Sequence, residues 1–213
     1  MAPPRSTGHR LCETIHLAAA GIWLGVLFMS GGVAAIIFKT TPRLSPHLGA
    51  FDTYTGDHAR LAAGYIQNEV FKLTDVTQFV AALVCLGSMI ALIAAYKMPL
   101  RSIVGAVRLI ALMLALSALS YYMLILTPRM SENLRAFYAA AAAGENETAE
   151  TFRLAFDADH PAATNSFAVV TIGVLVVFIS GLWSVTGSAR REAPARARRS
   201  ELEEPALARG SRS

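Results

Sequence analysis

The sequence predicts an all-α fold: an integral membrane four-helix bundle with short extramembrane helices between helices 1 and 2 and between helices 3 and 4. Three observations predict it. Only 16% of the 213 residues are charged while 54% are hydrophobic, and a soluble domain usually carries about 25% charge. The apolar residues gather in four blocks, residues 12–38, 76–96, 103–127 and 167–187. Each can supply the roughly 20 helical residues that cross a hydrocarbon core. The blocks are apolar throughout rather than alternating, which argues for helices that satisfy their own backbone in lipid and against barrel strands.

Three regions follow. Residues 1–10 read as a disordered leader, 11–187 as the transmembrane domain, and 188–213 as a disordered tail rich in Arg, Ala, Glu and Pro. The first apolar block exceeds the roughly 7–15 residues of a signal-peptide core, and Trp23 stands in its middle, so it reads as a retained span. With four spans, both termini and the middle loop share one side. That side carries twelve Lys and Arg against seven, and five acidic residues against ten. The positive-inside rule then makes the termini cytoplasmic, with a bacterial cytoplasmic membrane as the expected location. The net charge of +4 is an insertion signal, and no nucleic-acid partner is expected. The expected partners are membrane lipids, together with a homo-oligomer or a membrane partner protein.

Each element has its own markers. In helix 1, Ala18, Gly21, Gly25 and Gly32 gather on one side, and Glu13, His16, Ala20 and Trp23 nearly opposite. Small-residue ridges suit close helix–helix contact in membranes. Pro42 and Pro46 mark a break after helix 1. Leu61, Tyr65, Val70 and Leu73 predict a surface helix running or kinking into helix 2, with Thr74 or Asp75 as an alternative cap. Helix 2 carries a ridge of Gly87, Ala91 and Ala95 and ends at Tyr96–Pro99. The short loop to helix 3 predicts an antiparallel hairpin of helices 2 and 3. After Tyr121–Tyr122, Pro128 marks a kink or break, Ser131 resembles an N-cap, and Gly144 is a natural stop. Thr148–Phe156 reads as a second short helix. Helix 4 carries a third ridge, Gly173, Val177, Ser180, Ser184 and Gly187. Cys12 and Cys85 form no C-x-x-C pair and read as small apolar core residues.

Chemistry has two candidate places. Glu13–Thr14–Ile15–His16 puts a carboxylate and an imidazole one turn apart, a spacing that serves metal sites in helical bundles. The pair could hold a metal or a haem. It could equally be structural, since it lies near the cytoplasmic end, where a side chain can reach the interface. No second Glu-x-x-His exists. On the opposite side, Arg43, Asp75, Gln78, Arg129, Asn133, Asp157, His160 and Asn165 flank predicted helix ends and could form a polar cap or a solvated rim. No nucleophile–base arrangement, P-loop or dinucleotide fingerprint is present, so no catalytic residue is assigned and the reading leans away from an enzyme.

Several segments taken together resemble the TMEM205-like (DUF4149) family of small four-helix membrane proteins. They are HLAAAGIWLG (residues 16–25), AIIFKTTPR (35–43), AGYIQNEVF (63–71) and LTPRMSENLR (126–135). Phe156, His160 and Asn165 are similar to that family's entrance to helix 4. The His-to-Trp-Leu-Gly opening is also similar, more distantly, to copper-resistance D-type membrane proteins. The resemblance implies the four-helix fold and a membrane location, and it transfers no catalytic residue. The expected function is that of a multi-pass membrane protein acting as a non-enzymatic structural, partner-binding or tolerance-related component. The alternatives are a metal- or haem-handling protein using Glu13 and His16, with His160 as a further ligand, and a small transporter. The transporter is disfavoured because no span is broken and no charge stands at mid-span.

Overall fold

The computed structural model describes residues 6–210, with side chains described as far as Thr186. Its helices are α1 (Thr7–Leu44), α2 (His58–Ala94), α3 (Ile103–Tyr121), α4 (Thr127–Ala143) and α5 (Asn146–Gly210). A 3-10 turn, Gly49–Phe51, lies between α1 and α2, and a π turn, Tyr122–Leu126, joins α3 to α4. The expected tail over 188–213 falls outside the residues whose side chains are described. α1 starts four residues before the expected start of the transmembrane domain at Leu11. Ser6 accepts a hydrogen bond from the His9 backbone N–H at 3.2 Å, and this cap starts α1 at Thr7.

Four rods are long and apolar enough to cross a membrane: Thr7–Leu44, His58–Ala94, Ile103–Ala143 and Asn146–Thr186, of 38, 37, 41 and 41 residues. The protein is therefore a multi-pass integral membrane protein with an all-α four-helix bundle. At 1.5 Å per residue such rods reach about 55–60 Å, well beyond a hydrocarbon core of about 30 Å. The expected separate extramembrane helices are extensions of these rods. Thr74 starts no helix, because its hydroxyl donates to the Val70 carbonyl at 2.9 Å inside α2. The true cap is Asp57, whose Oδ1 accepts from Ala59 and Arg60 N–H at 2.9 and 3.0 Å. Pro42 does not end α1, which runs on to Leu44. Pro128 does not break helix 3, because the π turn just before it rearranges the hydrogen-bond ladder that proline cannot join. Gly144 stops α4 as expected, with φ +76°. α5 then begins at Asn146 and passes through Thr148–Phe156 and Pro161 without interruption.

Neighbours in the bundle are α1 with α2, α3 with α5, α4 with α5, and α1 with α5. The expected hairpin of helices 2 and 3 is corrected: they are joined by a short loop but barely approach along their length. Small residues explain part of the choice. A Cβ at Gly173 would lie 3.0 Å from the Ala111 carbonyl and 3.0 Å from Ala115 Cβ, so glycine lets α5 close on α3. The ridge of helix 2 does not act this way. Gly87 faces open space, and α2 packs instead through Ala81, Ala82, Cys85, Met89 and Leu92. These residues join Trp23, Leu27, Leu112, Ala115, Val170, Val174 and Val177 in the main core of the bundle. A second cluster gathers Tyr54, Leu61, Phe137, Ala140, Ala141 and Ala149.

Candidate functional site: a buried ion pair at the end of the bundle

Glu13 and His16 face inward from α1, exposed by 2% and 0%. They share that face because residues three apart on a helix lie on one side. Their neighbour was not anticipated. Arg108, one of the twelve cations that the positive-inside count places on the side of the termini, lies inside α3 and is 1% exposed. Its Nη1 donates to Glu13 Oε1 at 3.2 Å, and its Nη2 stands 2.8 Å from Glu13 Oε2 as an ion-pair contact without hydrogen-bond alignment. The guanidinium thus engages the carboxylate with both terminal nitrogens, the geometry that favours Arg over Lys.

The pair crosses the bundle between helices that otherwise hardly touch, and α5 lies beside it. A Cβ at Gly181 would lie 3.4 Å from Arg108 Cζ, an ordinary contact, and 2.6 Å from Leu17 Cδ2. Glycine at 181 is therefore space that Leu17 occupies next to the guanidinium. An isolated buried charge is expensive in a low dielectric, and pairing at this geometry is what lets both ions stay inside.

His16 is fixed by α2. Its Nδ1 lies 2.8 Å from Ser88 Oγ. With the Ser88 hydroxyl directed to the Val84 and Cys85 carbonyls, at 2.6 and 3.1 Å, the contact to Ser88 favours the tautomer with its proton on Nδ1. Nε2 is buried and has no protein partner. Cys12 and Cys85 close the same seam: Cys12 Sγ lies 3.4 Å from the Ser88 carbonyl and Cys85 Sγ 3.9 Å from the His16 carbonyl. Both are free thiols.

For a metal the donor set is thin. Glu13 is occupied by Arg108, and no group of three His, Cys, Asp or Glu side chains able to hold a metal gathers among the described residues. His160 cannot join His16. Leu17 is level with Gly181, and His160 stands 21 positions earlier on α5, which is about 30 Å along the helix.

The predicted polar cap does not assemble, because the helices do not end where it was placed. Asp75 is inside α2, where its Oδ1 accepts from Gln78 Nε2 at 2.8 Å and its Oδ2 from the Tyr122 hydroxyl at 3.5 Å. It lies between two levels of contact with α1, Ser88 at His16 and Gln67 at Ser30. Arg129 pairs with Asp159, its Nε donating at 2.6 Å. Asp157 joins Arg60 and Arg153, at 3.1 and 2.6 Å. Arg43, His160 and Asn165 are exposed and Asn133 is half-buried. The single polar cap is thus replaced by one half-buried carboxyl and several separate surface pairs.

Arg108 and Gly181 are the residues that reading the sequence missed, and a signal for them existed. A lone cation five residues into one apolar block has its complement in a lone acid at the same-side end of another. No family model matches the chain, and neither a curated protein nor a solved structure matches it. The conclusion at this point rests on the chain's own chemistry: a multi-pass membrane protein whose buried charges are closed on one another.

Proposed function

We propose that the protein is a non-enzymatic membrane component that acts by helix association, first of all with a second copy of itself. The observation that carries this reading is the outward face of α1. Ala18, Gly25 and Gly32 recur there one heptad apart, and Ile22, Met29 and Ile36 interleave at the same period. Ile22, Met29 and Ile36 are 59–66% exposed, and a Cβ at Gly25 or Gly32 would meet nothing within 4 Å. Alternating small and large residues at a 3.5-residue repeat form the seam on which membrane helices interlock. Both termini are cytoplasmic in this reading, in a bacterial cytoplasmic membrane, and the TMEM205-like resemblance supports the same class. The test is energy transfer between labelled copies in liposomes. Wild type is expected to transfer at dilutions where Gly25→Leu does not. A wild type that remains monomeric at every lipid dilution would sink the reading.

A second reading is favoured by His16 alone. A histidine that donates Nδ1–H and keeps Nε2 free is set up as a metal or haem ligand. Elemental analysis and an absorption spectrum of the detergent-purified protein, wild type against His16→Ala, test it. A stoichiometric metal or haem signal lost in the variant supports the reading, and a colourless, metal-free wild type removes it.

A further inference from the structure

Between them, α3 and α5 leave an open groove of about 300 Å³ lined by Ile103, Val104, Val107, Val176, Ile179 and Trp183. Ser180 also lines it, but its hydroxyl donates to the Val177 carbonyl at 3.0 Å, so the floor offers hydrocarbon only. Its mouth lies at the start of α3, where Ile103 and Trp183 are 83% and 70% exposed. Two exposed cations, Lys97 and Arg101, lie in the connection from α2 that leads into α3. Arg101 is two residues from Ile103, within about 7 Å along the chain. Neither cation has an ion-pair partner among the described residues, whereas most of the other arginines with described side chains do.

A floor of hydrocarbon alone suits an acyl chain, and the charge beyond the mouth selects the headgroup. Cations close to the surface each favour anionic lipid by about 1 kcal/mol, and a guanidinium matches a phosphate in particular. We propose that this groove holds one acyl chain of an anionic phospholipid whose phosphate is met by Arg101 with Lys97 alongside. This site is separate from the helix-association face of α1 and does not depend on that reading.

The two tryptophans make the test clean, because Trp23 is fully buried and Trp183 is in the groove. The full-length protein is placed in vesicles of phosphatidylcholine and phosphatidylglycerol, with bromine on the acyl chains of one lipid at a time. Bromine quenching then reports on Trp183. At equal mole fraction, brominated phosphatidylglycerol is expected to occupy the site roughly five-fold or more in preference to brominated phosphatidylcholine, the ratio that one cation provides. Lys97→Gln with Arg101→Gln should abolish the preference while leaving total quenching in place. Val107→Phe, which fills the groove, should weaken quenching by both lipids. Equal quenching by the two lipids in wild type overturns the proposal. So does a preference that survives the double substitution, which belongs instead to the arginine-rich tail. Shielding of Trp183 from both lipids in a particle of dimer size also overturns it, since a second copy then covers the groove.

Discussion

The bundle carries arginine–carboxylate pairs at both of its ends, and the two sets live in opposite surroundings. At the end bearing the N-terminus, Arg108 and Glu13 have side chains exposed by 1% and 3%. At the far end, Arg60 and Asp157 are exposed by 57% and 32%, and Arg129 and Asp159 by 56% and 14%. The chemical groups are the same, but their energetic weight differs. An exposed pair gives back in lost hydration and side-chain entropy most of what it gains, and salt screens the remainder. A buried pair is close to neutral as a pair and costly when halved, because the survivor is an uncompensated ion in a low dielectric. The inner pair therefore links α1 to α3 through two ions, neither of which can be removed alone without leaving the other uncompensated. The outer pairs, with Glu150 and Arg153, trim the surface of a hairpin already held by Tyr54, Phe137 and Ala141.

The sharpest way to break that comparison is to remove one ion from each end. Arg108→Met should destabilise the folded bundle by about 3–5 kcal/mol, and Glu13→Leu by a similar amount. The double variant, apolar at both positions, should recover most of the loss. Arg60→Gln, at the exposed end, should cost about 1 kcal/mol or less. Unfolding of the detergent-solubilised protein, followed by a thiol-reactive dye reporting on Cys12 and Cys85, measures all four. If the single inner variants were as mild as Arg60→Gln, the inner ions would have to be hydrated, and the contrast would collapse.

Next in size is the space on α5 beside the ion pair. Gly181→Leu would place a side chain where Leu17 already lies, next to the guanidinium, and overpacking of this kind costs about 1–3 kcal/mol. Glycine-to-leucine at 87 is the matched control, since Gly87 faces open space and should tolerate it. At the far end, Gly144→Ala should cost about 1–2 kcal/mol. Gly144 holds φ +76° and a Cβ there would sit 2.7 Å from Thr53 Oγ1. The same unfolding assay reads both.

Much of this arrangement was legible in the residues, for identifiable reasons. Four apolar blocks announce four spans because lipid imposes a length and a polarity that soluble folding does not. Gly144 announces a stop because few residues tolerate its φ. Glu13 and His16 stand out because ionisable groups are scarce in such blocks. Arg108 was hidden by its position: five residues into a block, it reads as one more cation on the side of the termini unless its partner on another helix is known. The ends of the rods were hidden for a related reason. Glu69 and Lys72 interrupt the apolar run before helix 2, yet they pair with each other at 2.6 Å on the exposed face, so α2 passes through them unbroken. With α2 starting at His58, Asp75 moves from a helix entrance to a half-buried place in mid-helix, and the polar cap drawn from helix ends disperses. Pairings between elements distant in sequence are what a single chain read alone does not display.

The smallest expected effect lies at the exposed end and turns on pH. Hydrogen bonds from Arg153, at 2.7 and 2.5 Å, hold the Glu150 carboxyl below the usual carboxylate range. The folded protein therefore binds that proton more weakly than the unfolded chain does. The pair's contribution is fully present above the unfolded carboxylate value, about 4.3, and is lost as pH falls through the folded one. Glu150 is exposed, so the change should be slight and should vanish in high salt. Carbon-13 NMR of the Glu150 carboxyl in micelles can follow the titration directly. Wild type should titrate at lower pH than Arg153→Met, and the difference should shrink as salt is added. An unchanged midpoint in the variant would show that the exposed pair holds no charge preference at all, which is the limit toward which every pair at that end tends and from which Arg108–Glu13 stands furthest.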